Sequence, residues 1–424
     1  MLSAAMSKGR NPLDVRVVVT GLGTINPIGN SVREFWDNLK AGKSGVRLIS
    51  TVDVQNYHVR IAGEIDIPDV TPFGLTPKSV RRYDRYIILS HIAATQALKD
   101  SGLDPQAAPH RYGVIIGSGD GGSTAHDIQG EKIHRSGLRA ASPLYLVNTI
   151  PNTATGYVAI MYNLQGVNFA VSSACATGNH ALGIAAQLIR MGMADAILAG
   201  GTEACINRLG MACFGNIMAL SERNDSPETA SRPFDIGRDG FVLSEGSGVL
   251  CLEELEHAKK RGARIYAELT GTGFSCDAYD LVTPHPEARG ATMAMQSALA
   301  EAEIPASKID LLNAHATSTT IGDLSECRGI HNVFGDHATK MMVHATKSMT
   351  GHCIAAASAV EAIAAIMAFA EGVVHPTTNQ FERDPQIDLN VVTEPTEVRV
   401  NHILSNSFGF AGQNAAIILS RFAG

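Results

Sequence analysis

Aromatic residues are scarce in this 424-residue chain, at 5% with a single tryptophan. That scarcity removes the stacking platforms on which single-stranded nucleic acid is held. No long lysine or arginine run appears, and 34 basic against 41 acidic side chains leave a formal charge of −7, so nucleic acid is not an expected partner. Charged residues are only 18% and hydrophobic residues 45%. This balance excludes a disordered chain and leaves a packed body longer than the roughly 100–200 residues of one domain. The notable apolar stretch, 355–370, falls short of the roughly 20 residues that span a bilayer and carries Glu361 in its middle. It reads as a buried helix, and no membrane association is expected. The N-terminal MLSAAMSKGR lacks the apolar segment of a secretory signal. Seven cysteines, at 175, 205, 213, 251, 276, 327 and 353, contain no C-x-x-C pair. Neither a disulfide framework nor a zinc ribbon is expected, and a reducing cytoplasm fits.

Glycine, by contrast, is abundant at 41 residues, which suits tight strand-to-helix turns and close backbone approach. A β-branched run at 15–20 ending in GLG predicts a buried strand, and 31–41 the helix after it. The alternation continues with helix 86–101, strand 112–116, helix 153–162, strand 167–171, helix 181–191 and strand 196–199. The polar, turn-rich 221–240 segment predicts an ordered loop. After a charged helix at 253–264, the grammar restarts: strand 265–273, helix 292–302, strand 309–314, and helices 324–334 and 354–371. The class is α/β, in two halves of similar element order.

Two phosphate-loop candidates fail on context. Gly117, Gly119 and Gly122 satisfy G-x-G-x-x-G after a strand, but no second strand ending in an acidic residue follows. Gly42-Lys43-Ser44 resembles the end of a P-loop, yet a helix rather than a strand precedes it and Asp37 stands where the first glycine belongs.

The stronger signal is VNFAVSSACATGNHALG at 167–183, where an apolar strand gives way to small residues, then Cys175, then a helix. A cysteine at such an elbow faces the unpaired N–H groups of a helix N-terminus, which favour thiolate and can hold an oxyanion. A buried cysteine is ordinarily an inert small hydrophobe, and that reading is kept for the other six. Two further loops distinguish Cys175. The 313–320 loop NAHATSTT places His315 beside several hydroxyls at a strand's C-terminal end, and KSMTGH at 347–352 places Lys347 and His352 before an apolar helix. A thiol, two imidazoles and an ammonium on loops at strand ends form a coherent site for covalent acyl transfer.

Over essentially its whole length, from Val15 to Leu419, the chain resembles the elongating β-ketoacyl-[acyl carrier protein] synthases of the thiolase superfamily. The resemblance rests on VVVTGLG, SACATG, SRPFDIGRDGFVLSEGSG, DAYDLVTPHP, NAHATST, KSMTGH and SNSFGF. It implies a thiolase-like αβαβα five-layered fold made of two related halves, 12–262 with the nucleophile and 263–424 with the histidines, lysine and phenylalanine gate. It implies a homodimer, a site between the halves, and acyl carrier protein as partner. It also implies no bound cofactor, because phosphopantetheine arrives on the carrier.

In that resemblance Cys175 carries the acyl group, with the backbone N–H groups of Cys175 and Phe408 as oxyanion donors. His315 and His352 stabilise the enolate left by decarboxylation. Lys347 holds its charge near them and pairs with Glu326, and Phe408 is a gate. Thr317 and Thr319 match hydroxyls that bind the pantetheine arm, and Phe214 an acyl-pocket wall. Lys78, Arg81, Arg82 and Arg85, at i, i+3, i+4 and i+7, are read as one helix face that could dock an acidic carrier.

Departures from the pattern are Ala316 and the FAGQN segment, both at usual glycine positions, and Asp120, where an apolar side chain usually reaches the acyl pocket across the dimer. A carboxylate against a saturated chain is costly. The alternative resemblance is therefore to ketosynthase subunits of type II polyketide or polyene systems, which pair with a catalytically silent partner chain. A thiolase would carry a second cysteine near SNSFGFAGQNAAIIL, which has none; an initiating enzyme would have asparagine in place of one histidine; and a silent subunit would lack Cys175.

Overall fold

The computed structural model describes residues 14–424. MLSAAMSKGR and positions 12 and 13 of the first half lie outside the described residues. Ten strands share one hydrogen-bonded sheet. From the N-terminal half come β1 (Val17–Ile25), β4 (Tyr112–Gly117), β5 (Ala196–Glu203) and β6 (Gly246–Glu254). The C-terminal half supplies β7 (Ala267–Cys276), β8 (Leu311–Asn313), β9 (Met342–His344), β11 (Asn390–Val391), β13 (His402–Gly409) and β14 (Gln413–Ser420). Two-residue pieces pair outside it, β2 (Arg47–Leu48) with β3 (Ile61–Ala62) and β10 (Val373–Val374) with β12 (Thr396–Glu397).

Both halves repeat one plan. In the first, β4 runs parallel to β5, followed by antiparallel β6 and β1. In the second, β8 runs parallel to β13, followed by antiparallel β14 and β7. The halves join where β1 meets β7 through only two residue pairs, Val18 with Glu268 and Val19 with Ala267. At this seam the sheet folds around two central helices, α7 (Thr177–Arg190) and α13 (Ala357–Glu371), each of which touches strands of both halves. Outside the first half lie α3 (Arg85–Ser101) and α6 (Thr153–Tyr162), and outside the second α10 (Arg289–Ala302) and α11 (Thr320–Phe334). The order helix, sheet, helix, sheet, helix is the expected five-layered thiolase-like arrangement. The remaining helices are α1 (Val32–Lys40), α2 (Pro77–Arg82), α4 (Ser123–Ser136), α5 (Tyr145–Thr149), α8 (Arg208–Asn216), α9 (Leu255–Lys260) and α12 (Lys347–Thr350).

Packing explains why β1 runs through its glycines instead of ending at them. A Cβ at Gly21 would lie 2.1 Å from the carbonyl oxygen of Ala97, and one at Gly23 2.0 Å from that of Ala93. Helix α3 lies flush on this strand, and any side chain would push it away. The apolar helical stretch Ile354–Glu371 is 89% buried between the sheets, as a core helix must be.

Three sequence expectations change. The 167–171 segment is not a strand: it touches β4 through one bridge, Asn168 to Val114, and follows that edge with amide bonds from Val114 to Val167 and Ser118 to Val171. The charged run at 253–264 is helical only over Leu255–Lys260, because Glu253 belongs to β6, where it is fully buried and receives His257, Arg261 and Thr20. Strands β6, β13 and β14, unforeseen from sequence, complete the central pairing of each half. The 221–240 segment is ordered, as expected: Phe234 is fully buried, and Arg238 bonds Asp384 at 2.7 Å.

Candidate active site

The strand-to-helix elbow forms as a 3₁₀ turn, Ala174–Ala176, that runs directly into α7. Ala174 takes a positive φ of 48°, which turns the next side chain, Cys175, inward to the floor of a cavity of about 360 Å³. Ser407 Oγ donates to the Cys175 carbonyl at 2.8 Å, and a Cβ at Gly409 would lie 2.7 Å from the Ser173 oxygen. The end of β13, with Phe408, is thereby held against the nucleophile turn.

The second half brings the histidines. His352 Nε2 lies 2.9 Å from Cys175 Sγ. The His315 ring stands edge-on to His352 at 5.5 Å and to Phe408 at 5.7 Å. Lys347 Nζ lies 3.4 Å from His315 Nδ1; an ammonium can only donate there, which leaves the ring hydrogen on Nε2. His315 and His352 are 9% and 2% exposed. Burial holds both imidazoles well below their ordinary range, and the Lys347 charge lowers them further. Two neutral Nε2 donors suit a developing enolate.

Helix-terminus activation of the thiol, expected from sequence, is outweighed. Burial pushes Cys175 up to about 12, Lys347 pulls it down, and the Glu203 carboxylate raises it again. The thiol's proton therefore has to leave as sulfur attacks.

Lys347 makes its ion pair with Glu361 at 2.5 Å, not with Glu326 as the resemblance implied. Burial raises the Glu361 carboxyl against the pull of Lys347. Glu326 instead accepts the amide hydrogens of His315 and Ala316 at 2.8 and 2.7 Å and Asn406 Nδ2 at 3.1 Å. It fixes the histidine loop and also lines the cavity. Glu361 was visible in the sequence as a lone charge in an apolar helix, a pattern that calls for a buried partner.

Thr317 and Thr319 line the same cavity, their hydroxyls 3.1 Å apart. Phe214 stands behind its wall, packed on Phe241 at 5.9 Å and Phe410 at 6.3 Å. Asp120 does not line the cavity: its side chain is exposed on the surface of the chain. Its loop does hold an anion, but an internal one. The Glu203 carboxylate accepts Ser118 Oγ and the Gly119 amide, both at 2.9 Å.

The basic quartet does not share one helix face. Helix α2 ends at Arg82, Asp84 caps α3, and Arg85 is committed to Glu245 and the Ile65 carbonyl. Lys78, Arg81 and Arg82 remain exposed. Among the described residues, one group of potential metal ligands has its donor atoms within 4.8 Å of one another, and it is Cys175, His315 and His352.

Comparison with known proteins identifies the family. Residues 14–258 match the family described as Beta-ketoacyl synthase, N-terminal domain, and residues 266–381 its C-terminal domain. The chain is 45% identical over 409 residues to 3-oxoacyl-[acyl-carrier-protein] synthase 2 of Coxiella burnetii, covering 96% of this chain and 98% of the relative. Identity to the Vibrio harveyi protein of the same name is 42% over 411 residues, 96% of this chain and 99% of that one. Among solved structures, the ishigamide ketosynthase/chain length factor superposes with a TM-score of 0.90 at 34% identity, covering 96% of this chain and 100% of the other. A type II polyketide ketosynthase bound to its acyl-carrier protein superposes at 0.89 and 32%, covering 96% and 99%. With both domains matched and full-length relatives above 40% identity, the chain belongs to the β-ketoacyl synthase family.

Proposed function

We propose that the protein is an elongating 3-oxoacyl-[acyl carrier protein] synthase of fatty acid synthesis, an acyltransferase that lengthens a carrier-bound chain by two carbons. The observation that carries this is the convergence of Cys175, His315 and His352, from two halves, on one cavity with Thr317, Thr319 and Phe408 along it. Cys175 sulfur attacks the acyl thioester, the carrier thiol leaves with the proton, and the tetrahedral oxyanion is held by the amides of Cys175 and Phe408. Malonyl carrier then enters past Phe408, its pantetheine arm bonded to Thr317 and Thr319. Loss of carbon dioxide leaves an enolate whose oxygen accepts hydrogen bonds from His315 and His352. Its carbon attacks the acyl-Cys175 carbonyl, a carbon–carbon bond forms, and the thiolate departs. The pantetheine arm arrives as part of the substrate, and no resident cofactor is assigned. Acylated Cys175 in a digest after incubation with acyl carrier protein tests this; acyl groups elsewhere with Cys175 bare would overturn it.

Lys78, Arg81 and Arg82 form the patch assigned to the acidic carrier. Charge reversal there should raise KM for acyl carrier protein while sparing an acyl-pantetheine thioester. A cytoplasmic location keeps the Cys175 thiol reduced. The exposed apolar residues Leu146, Ile160 and Phe169, the last of them on the 167–171 edge, support a dimer.

Asp120 favours a second reading, a ketosynthase subunit of a type II polyketide or polyene system paired with a chain-length-factor chain, because its exposed carboxylate is free to face a partner's pocket. Competition between saturated and unsaturated acyl carriers of equal length decides between them. Selectivity that shifts toward long saturated chains in Asp120→Ile supports this second reading, and identical profiles exclude it.

A further inference from the structure

We infer that Arg238 is a positioning residue for the pantetheine arm: its guanidinium, reaching across from the 221–240 segment, holds the loop of Thr317 and Thr319 in the shape that receives the arm. The inference rests on the proposed function and deepens it. The loop does not hold this shape by itself. Ala316 and Ser318, on either side of Thr317, take positive φ of 33° and 69°, and a non-glycine residue keeps such backbone only where its surroundings over-determine it. The result is a pair of hydroxyls on one cavity, 3.1 Å apart. Gly322 leaves the room beside them, since a Cβ there would lie 2.3 Å from Thr319 Oγ1 and 3.4 Å from Thr317 Oγ1.

Glu326 fixes the histidine end of this loop through the amides of His315 and Ala316. The threonine end is fixed from the first half. Arg238, its side chain 1% exposed, donates Nε to the Thr319 carbonyl at 3.2 Å and Nη2 to the Thr320 carbonyl at 3.0 Å. Nη1 is anchored on the Asp384 carboxylate at 2.7 Å and the Asp235 carbonyl at 2.8 Å. Asp323, with an oxygen 3.7 Å from Arg238 Nε, accepts the Ser318 amide at 3.1 Å and the Phe234 amide at 2.9 Å. Ser318 accepts the Arg232 amide on its hydroxyl at 3.0 Å and the Gly240 amide on its carbonyl at 3.1 Å. Helix stability does not account for the arginine. Thr320 opens α11, and a cation at a helix N-terminus opposes the helix dipole. A planar fork does account for it, because it bonds two carbonyls of the loop and a carboxylate at once, which the point charge of a lysine cannot.

Arg238→Lys tests this, since it keeps a cation for Asp384 and loses the fork. Acylation of Cys175 by an acyl-pantetheine thioester, free of carrier protein, is followed by intact-protein mass against thioester concentration. Alkylation of Cys175 by iodoacetamide, which has no arm, is measured beside it. KM for the thioester should rise roughly tenfold, the size of one lost hydrogen bond to a charged group, with the maximal acylation rate and the alkylation rate changed far less. The effect appears without the carrier, unlike that of charge reversal at Lys78, Arg81 and Arg82. Arg190→Lys is the comparator: it breaks a pair with Glu301 and a bond to the Leu269 carbonyl at the other end of α7 from Cys175. It should lower the urea midpoint and leave KM at the wild-type value. An unchanged KM in Arg238→Lys, an equal rise in both lysine variants, or a loss of maximal rate with no rise in KM would each overturn the inference alone. A wild-type enzyme that takes no acyl group would instead sink the reading of the site, and this inference with it.

Discussion

Two turns in this molecule are built alike and do different things. Ala174–Ala176 precedes α7, and Ile354–Ala356 precedes α13; each is 3₁₀, each begins at positive φ, 48° and 44°, and each feeds a buried central helix. The helices cross where a Cβ at Gly178 would lie 2.5 Å from Ser358 Oγ. The middle residue is Cys175 in one turn and Ala355 in the other, while His352 stands just before the second. A second correspondence lies beside them. Glu203 accepts amides from Gly119 and Asp120, and Glu326 accepts amides from His315 and Ala316. The backbone solution is duplicated, and the chemistry is divided: the first half supplies the sulfur and the second the imidazoles and the lysine.

Moving the nucleophile between the turns gives the largest expected effect. Cys175→Ala should abolish acyl-enzyme, with condensation falling by roughly 10³-fold or more, and adding Ala355→Cys should not restore it. Ala355 is fully buried and does not line the cavity, and its carbonyl lies 2.1 Å from where a Cβ on Gly201 would be. Intact-protein mass after incubation with acyl carrier measures this; an acyl adduct on the double variant would mean the turns are interchangeable in chemistry as well as in backbone.

The division of labour also predicts that the histidines serve decarboxylation more than acyl transfer. Removing one preorganised donor costs about 3–4 kcal/mol, so His315→Ala and His352→Ala should each cut carbon dioxide release by roughly two to three orders of magnitude. Acylation of Cys175 should partly survive, more fully in His315→Ala, since His352 is the residue touching sulfur at 2.9 Å. Separate assays of the two half-reactions check it; collapse of acylation with normal decarboxylation would reverse the roles.

How much of this was legible in the sequence follows from range. Cys175, His315 and His352 sit in short stretches whose residue types and flanking periodicity announce loops at strand ends, and the structure brings all three together. The partner of Lys347 was not legible. Glu326 lies 21 residues away in sequence and Glu361 lies 14, and only the crossing of α13 beneath the 347–352 loop selects Glu361. Arg85 continued a helical spacing on paper, but α2 ends at Arg82 with Tyr83 extended, and Asp84 caps the start of a new helix. Strand β6 was masked because its last residues, Glu253 and Glu254, are charged. Pairing of Glu253 with Val18 and Ala196 overrides that local signal.

The halves should also differ in acid resistance. His344 and His375 stack at 4.0 Å, with His375 Nε2 3.0 Å from Thr346 Oγ1; burial lowers His344 well below its ordinary range and His375 to about 4. An unfolded imidazole takes a proton near pH 6.5 while folded His375 resists until about 4. Its stability contribution is therefore full above pH 6.5 and is lost as pH falls toward 4, by about 3 kcal/mol. His315 and His352 are also held well below their ordinary range, against the lesser lowering of His91 and His180 in the first half, so second-half amides should lose hydrogen-exchange protection first at pH 4.5. His375→Gln should flatten the drop in denaturant midpoint between pH 7 and 4.5, and an unchanged drop would discard this assignment.

The smallest expected effect separates two alanines of the second half that occupy left-handed backbone, Ala316 at φ 33° and Ala411 at φ 61°. An alanine there costs about 1–2 kcal/mol, and replacing it with glycine releases that strain at an entropic cost of about 0.5–1 kcal/mol in the unfolded chain. Their surroundings then part them. Ala411 is exposed, so its methyl contributes little, whereas Ala316 is 1% exposed and packs into the second half's core. Losing that methyl removes about 0.8 kcal/mol of burial. Ala411→Gly should therefore stabilise by about 0.5–1 kcal/mol, and Ala316→Gly should be near neutral, its amide still bonded to Glu326 at 2.7 Å. Urea midpoints at constant m-value measure both. Greater stabilisation from Ala316→Gly than from Ala411→Gly would show that the strain in the histidine loop outweighs the packing of its methyl.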